Sequence, residues 1–374
     1  MVKRNEFVDS WRGLFHVLLL IDHLPAVLLG LSSFVGGFFE PLGYVSVTEG
    51  FVFLSGYVSG MVYTRVRQAQ GDRAMWRKAL GRARDIYLTY VAAAVLLLLF
   101  SRAIPASAFY WEASSGLGAW STSTMGLKIM LLLYQPSFLE ILPMYGLLLL
   151  VTPAIIKQLD RRNYISVFCA SLLVWVAAQY GLREKLLMLV PERFGLSCGY
   201  FDMFGWQLLF VVGLICGHRT YVSEKPWLVN YRRCSVLAYG MALLFFFLRH
   251  NLFGISIDRN SHWVDRASLG PIRLIDFLCV CLLVARFRSY LMPYIKWNGF
   301  VFLSKNSLQV FAFHLYPMYL IALFLKEPPS GSPWCQTGLI LLCVGSLFLI
   351  AFLARLVRPW FLRISEDSGC RSPI

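Results

Sequence analysis

Apolar residues in this chain gather in long runs separated by short polar stretches, with no sustained alternation between the two. Ten runs read as helices, covering roughly 14–35, 44–63, 86–101, 139–156, 165–182, 204–218, 234–249, 272–287, 300–323 and 338–357. Most approach the ~20 residues that carry a helix across a ~30 Å hydrocarbon core. The third run is short. Pro136 and Pro143 interrupt the stretch 127–156, which also reads as a re-entrant piece followed by a span. The fold expected is all-α: a polytopic integral membrane protein of about ten transmembrane helices, with 1–374 as one domain.

The polar gaps orient these spans. With the N-terminus inside, 24 of the 35 lysines and arginines fall in cytoplasmic segments and ten on the other side, with Arg12 inside the first run. That bias predicts an even number of spans and both termini in the cytoplasm. The longest polar stretches, 102–126, 183–203 and 250–271, are predicted on the outer face and are too short to be domains. Seven basic residues lie between Arg65 and Arg84. Ordinary topology determination and contact with anionic lipid account for them; a landing surface for a cytoplasmic polyanion is the alternative.

Composition agrees with the pattern. The chain is 58% hydrophobic and 15% charged, with mean hydropathy +0.62, against about a quarter charged in soluble domains. The formal charge of +15 therefore reads as loop lysines and arginines at a bilayer surface, and no nucleic-acid partner is expected. Nine cysteines are present. Five of them, Cys169, Cys216, Cys279, Cys281 and Cys343, lie inside apolar runs and behave as small hydrophobes. No cysteine or histidine pair has metal-ligand spacing, so no metal is expected. There is no P-loop and no GxGxxG motif. The first apolar run lacks a small-residue cleavage site and is expected to be retained.

Candidate chemistry begins in the first run, which opens Asp9-Ser-Trp-Arg12-Gly and ends the motif at His23. On a helix, eleven residues turn through ~1100°, so Arg12 and His23 share a face, and Asp9 and His16 lie on the same stripe. The ~16 Å rise between Arg12 and His23 puts the histidine near the midplane if the arginine sits at one surface. Ionisable groups at that depth are costly and mark function; the bland reading is a snorkelling arginine and a histidine satisfied by a neighbouring helix.

The second run carries Glu49, then Gly56 and Gly60, with Ser55 and Ser59, at the four-residue spacing that lets helices approach closely in lipid. Glu49 needs a partner in an apolar run, and His23 is a candidate. His314 lies about half way along the ninth run, and either serves function or bonds a neighbouring helix. Asp22, Tyr145, Asp202, Gln207, Arg273 and Asp276 are the other polar residues within or beside spans. Arg273 and Asp276, at i and i+3, are candidates for a mutual pair. The candidate catalytic set is His23, Glu49 and Asp9, with one carboxylate orienting the histidine. The candidate substrate contacts are Arg12, His16, His314, Gln207 and Tyr145.

The motifs DSWRGLFHVLLLIDHLP, GYVSVTEGFVFLSGYVSG, ILPMYGLLLLVTP and WQLLFVVGLICGH, in that order, resemble the OpgC proteins, and FLSKNSLQVFAFHLYP does so more loosely. The Arg12-x10-His23 spacing also resembles the broader acyltransferase family 3. The OpgC pattern has an aspartate shortly before the glutamate, where this chain has Ser46 and Val47. The resemblance implies a bacterial inner-membrane enzyme without a bound cofactor. It would move a succinyl or other acyl group from cytoplasmic acyl-CoA to a periplasmic glucan. The competing class is a proton-coupled transporter or flippase of a glycan or anionic solute, since midplane ionisable groups also mark carriers.

Overall fold

A computed structural model describes residues 5–27, 40–104, 121–191, 199–223, 232–258, 261–324 and 333–367. The end of the first predicted span and most of the outer stretch 102–126 lie outside them. The described residues form helices in the order α1 (Glu6–Val27), α2 (Val47–Ala103), α3 (Thr122–Met130), α4 (Ile141–Asp160), α5 (Tyr164–Gln179), α6 (Leu182–Met188), α7 (Met203–Ser223), α8 (Arg232–His250), α9 (Pro271–Arg286), α10 (Arg288–Ile295), α11 (Asn298–Lys305), α12 (Ser307–Phe313), α13 (Leu315–Phe324) and α14 (Pro333–Asp367). No strand occurs among them, so the all-α expectation holds. Among the described residues, three stretches are long and apolar enough to cross a membrane: α2, α4 and Trp334–Val357. The pair α5 and α6, bent by 68°, makes a fourth if it counts as one span.

Two predicted boundaries change. The runs 44–63 and 86–101 lie on two helices that meet at a kink within the α2 range, and both extend past their predicted ends because the linking residues are strong helix formers such as Arg, Ala, Gln, Met and Lys. Only Gly71, at φ 81°, breaks the backbone path there. The kink at Gly71 keeps the two apolar runs on separate helical arms, with the arginine-rich residues around it. The predicted ninth run divides into α11, α12 and α13. The residues gather into two compact units, Gly37–Leu291, and Met1–Gly36 with Met292–Ile374.

In the 37–291 unit, α2 and α7 meet backbone to backbone. A Cβ on Gly56 would fall 2.0 Å from the Phe210 carbonyl oxygen, and one on Gly217 2.0 Å from that of Tyr57. Gly60 and Gly213 are as tightly placed. Small residues four apart on both helices thus permit the contact, as expected of Gly56 and Gly60. Gln207 ties α7 to α5: its amide donates to the Ser171 carbonyl at 2.8 Å and the Phe204 carbonyl at 3.2 Å, and accepts from Ser171 Oγ at 2.6 Å.

In the other unit, Asn5 starts α1 by accepting the Val8 N–H at 3.4 Å. The 22 residues of α1 rise ~33 Å, a membrane's thickness. Gly13, inside the motif after Arg12, lets α1 lie against α11, since a Cβ there would sit 1.9 Å from the Phe300 carbonyl oxygen. Beyond this contact, α1 runs parallel to the segment that holds α12 and α13.

Candidate active site

That parallel seam carries a ladder of polar pairs. Ser304 Oγ donates to Asp9 at 3.2 Å, His16 Nε2 bonds Ser307 Oγ at 2.8 Å, and His23 Nδ1 bonds His314 Nε2 at 2.9 Å. His16 and His23 are seven residues apart, and so are Ser307 and His314. Seven residues turn a helix ~700°, within ~20° of two full turns, and advance it ~10 Å. Two parallel helices with matched seven-residue polar spacing therefore bring both pairs onto one line. Asp9, His16, His23, Ser304 and His314 are all buried, and buried polar groups need such partners. At the low-numbered end an exposed pair, Lys296 and Glu6 at 2.7 Å, closes the same seam.

His314 stands at the joint between α12 and α13. Pro317 explains the joint. It offers no N–H to the Phe313 carbonyl four residues earlier, and its ring crowds that oxygen. Here the His314 ring turns back on its own helix, with Nδ1 2.6 Å from the Phe311 carbonyl oxygen.

A cavity of about 380 Å³ opens beside α11 and α14, lined by Asn298, Val301, Phe302, Lys305, Asn306 and Arg355. Its two cations lie among amide and apolar groups with no carboxylate in the lining. In the chain, Lys305 and Asn306 fall between Ser304 and Ser307, the partners of Asp9 and His16.

The other candidates fall elsewhere. Asp9 belongs to the ladder, yet fourteen residues of unbroken helix place it ~21 Å from His23, so it does not orient that histidine. Arg12 is half-buried on α1 between the first two rungs. Glu49 starts α2 as the third residue of a capping box, accepting from Ser46 N–H at 3.0 Å and Ser46 Oγ at 2.5 Å. Its other oxygen binds Arg273 Nη1 at 2.8 Å. Arg273 also pairs with Glu40, which holds Arg249 Nε at 2.8 Å. The carboxylate expected beside His23 is thus held by a guanidinium and a helix cap. Arg273 does not pair with Asp276, whose Oδ2 instead accepts the Tyr44 N–H at 2.7 Å. Gln207 is committed to packing, and the Tyr145 ring lies tilted against that of Phe210, with centroids 6.0 Å apart.

Sequence reasoning misses Ser304, Ser307, Glu40 and Arg249. The matched spacing of His16 with His23 and Ser307 with His314 is an available signal; Glu40 and Arg249 give none. It also misses a second cluster, in which Asp160 Oδ1 binds His218 Nε2 at 2.8 Å and its other oxygen pairs with Arg67. Tyr164 completes that cluster through a 3.2 Å contact with His218 Nδ1. At the start of α7, Asp202 accepts the Phe204 N–H at 2.8 Å, and burial pushes its carboxyl above the usual range.

Neither the curated proteins nor the solved structures searched gave a match. The family model described as OpgC protein matches residues 4–358, which takes in both units, every rung of the ladder and the Glu49–Arg273 pair. With almost the whole of its length covered in this way, the chain belongs to the OpgC family.

Proposed function

We propose that this membrane protein is an O-acyltransferase that modifies osmoregulated periplasmic glucans. It takes a succinyl or similar acyl group from cytoplasmic acyl-CoA and esterifies a glucan hydroxyl with it. One observation carries the reading: a buried histidine, His23, on the Arg12 face of α1 and joined to a second buried imidazole, His314. Membership of the OpgC family supports the glucan as acceptor.

The chemistry needs a base. A sugar hydroxyl attacks a thioester poorly unless a group within hydrogen-bond reach takes its proton, and histidine does so near neutral pH. In the proposed step His23 accepts the hydroxyl proton as the oxygen adds to the thioester carbonyl. The tetrahedral adduct then collapses to the ester, the carbon–sulfur bond breaks, and the leaving thiolate takes the proton from the His23 imidazolium. Arg12 meets a donor phosphate or the developing oxyanion. The cationic cavity at Lys305 and Arg355 suits the donor's phosphates. The basic-residue bias supports ten spans in a bacterial inner membrane, both termini inside, with donor and acceptor entering from opposite faces.

Purified protein incubated with a panel of radiolabelled acyl-CoAs and glucan tests the activity. Label in the glucan is the expected result; glucan movement without label would replace the transferase with a carrier. Vesicles test the sidedness. In inside-out vesicles, external acyl-CoA is expected to acylate glucan trapped in the lumen. Acylation of external glucan by external acyl-CoA in sealed right-side-out vesicles would contradict the two-sided arrangement.

A further inference from the structure

We infer that His314 is a positioning residue: it fixes the tautomer of His23 and so decides which nitrogen of His23 serves as the base. The inference rests on the transferase reading for its consequence, and on geometry for its content. A carbonyl oxygen only accepts hydrogen bonds, so the 2.6 Å contact with the Phe311 carbonyl requires the proton of His314 to be on Nδ1. A neutral imidazole carries one N–H. Nε2 of His314 is then a lone pair, and it lies 2.9 Å from His23 Nδ1. That contact is a hydrogen bond only if His23 Nδ1 carries the proton. The lone pair of His23 is thereby directed to Nε2, on the far side of its ring. The reverse arrangement, with a doubly protonated His314, would turn His23 Nδ1 into an acceptor, put a proton on Nε2 and remove the base. The neutral pair is also the form that buries no charge.

The arrangement does what a carboxylate does behind a catalytic histidine: it holds the ring in one tautomer and accepts a hydrogen bond from the imidazolium once it forms. Here the orienting group is an imidazole anchored on a main-chain carbonyl, at a joint that Pro317 creates. The proton balance of the transfer is unchanged, because His23 alone gains and returns the proton.

The test reads the tautomer directly. Full-length protein labelled with ¹⁵N-histidine is reconstituted in bilayers, and the ring nitrogen shifts are recorded at neutral pH. His23→Asn identifies the signal of His23 among the six histidines. The wild type is expected to show His23 protonated on Nδ1. His314→Gln, which keeps an acceptor for His23 and a donor for the Phe311 carbonyl, is expected to preserve that tautomer and most of kcat. His314→Leu is expected to move the proton to Nε2 and to lower kcat by ~10²–10⁴-fold, while KM for glucan changes far less. A wild-type His23 protonated on Nε2 overturns the inference. So does a His314→Leu protein that keeps both the tautomer and kcat. Because the shifts need no turnover, a wild type with the Nδ1 proton and no acyl transfer to glucan would keep the tautomer assignment and overturn the transferase reading alone. If His314→Leu does not fold, the wild-type and His314→Gln spectra still decide the matter.

Discussion

Two buried polar assemblies, one in each unit, solve the same problem in opposite ways. Both place polar side chains away from water and satisfy them across helices. Around Arg273, two guanidiniums face two carboxylates, Arg249 and Arg273 against Glu40 and Glu49, so the charges cancel. Along α1, the upper rungs join a histidine to a serine and a histidine to a histidine. A guanidinium keeps its protons at any physiological pH, so the first assembly has no proton to give. An imidazole pair shares one proton between its facing nitrogens, and a neutral imidazole can take up a second proton and return it. Depth of burial is similar in the two places. What separates a structural assembly from a chemical one is whether its pairing leaves a proton free to move.

The comparison breaks first at His23. His23→Ala is expected to leave a folded protein that has lost ~10²–10⁴-fold in acyl transfer, the usual contribution of a general base. Transfer by a well-expressed His23→Ala protein at the wild-type rate would put the chemistry elsewhere. The opposite pattern is expected at Arg273. Arg273→Ala strands Glu49 and Glu40 without their shared partner, and breaking a buried pair this way costs about 3–5 kcal/mol. Thermal unfolding in detergent should register that loss as a large fall in Tm and in yield. A variant that is as stable as the wild type yet inactive would move Arg273 from the structural side of the comparison to the chemical one.

Packing gives a smaller effect. Gly56→Val would drive a side chain into the Phe210 carbonyl, a backbone atom that cannot swing aside. Overpacking of this kind costs about 1–3 kcal/mol, and the expected readout is a lower Tm. Unchanged stability would mean that α2 and α7 do not meet at their glycines.

Much of this is legible in the amino-acid sequence. The helical class follows from runs of apolar residues, and the close approach of Gly56 and Gly60 from their spacing. The shared face of Arg12 and His23 follows from eleven residues of helix. The partners are not legible, because they depend on which helices lie together. His23 and Glu49 look like a pair since both are ionisable and their runs are consecutive, but Glu49 begins its helix and is taken up by the cap and by Arg273. The helical state of the Arg65–Arg84 stretch is hidden because a run of arginines and lysines between apolar segments suggests a loop, although these residues favour helix and only Gly71, where the two helices of α2 meet, opposes it. The joint at His314 is half visible in Pro317; the carbonyl its ring turns back to is not.

Arg12 sharpens the comparison from the other side, as a guanidinium placed among the histidines. Arg12→Lys keeps the charge and loses the planar fork that grips phosphate or a developing oxyanion. Charge-assisted hydrogen bonds are worth about 1.5–3 kcal/mol, so kcat/KM is expected to fall by roughly 10- to 100-fold. Unchanged kinetics would make Arg12 an anchor of the Arg273 kind.

The smallest effect is expected at the cavity beside α11. Lys305 and Arg355 are exposed at its rim, and no carboxylate lines it. Exposed charges are worth only about 0.2–1 kcal/mol each. Lys305→Gln with Arg355→Gln should therefore raise KM for the acyl-CoA by a few-fold, and leave kcat and KM for glucan alone. The donor's phosphates give the effect a second signature. Screening shortens to a few ångströms in molar salt, so the difference between wild type and double variant should shrink as ionic strength rises. A change in kcat that survives high salt would instead mean that the substitutions disturb the ladder through Ser304 and Ser307. An unchanged donor KM at low salt would remove the cavity from the donor's path and leave Arg12 as the cation that meets it.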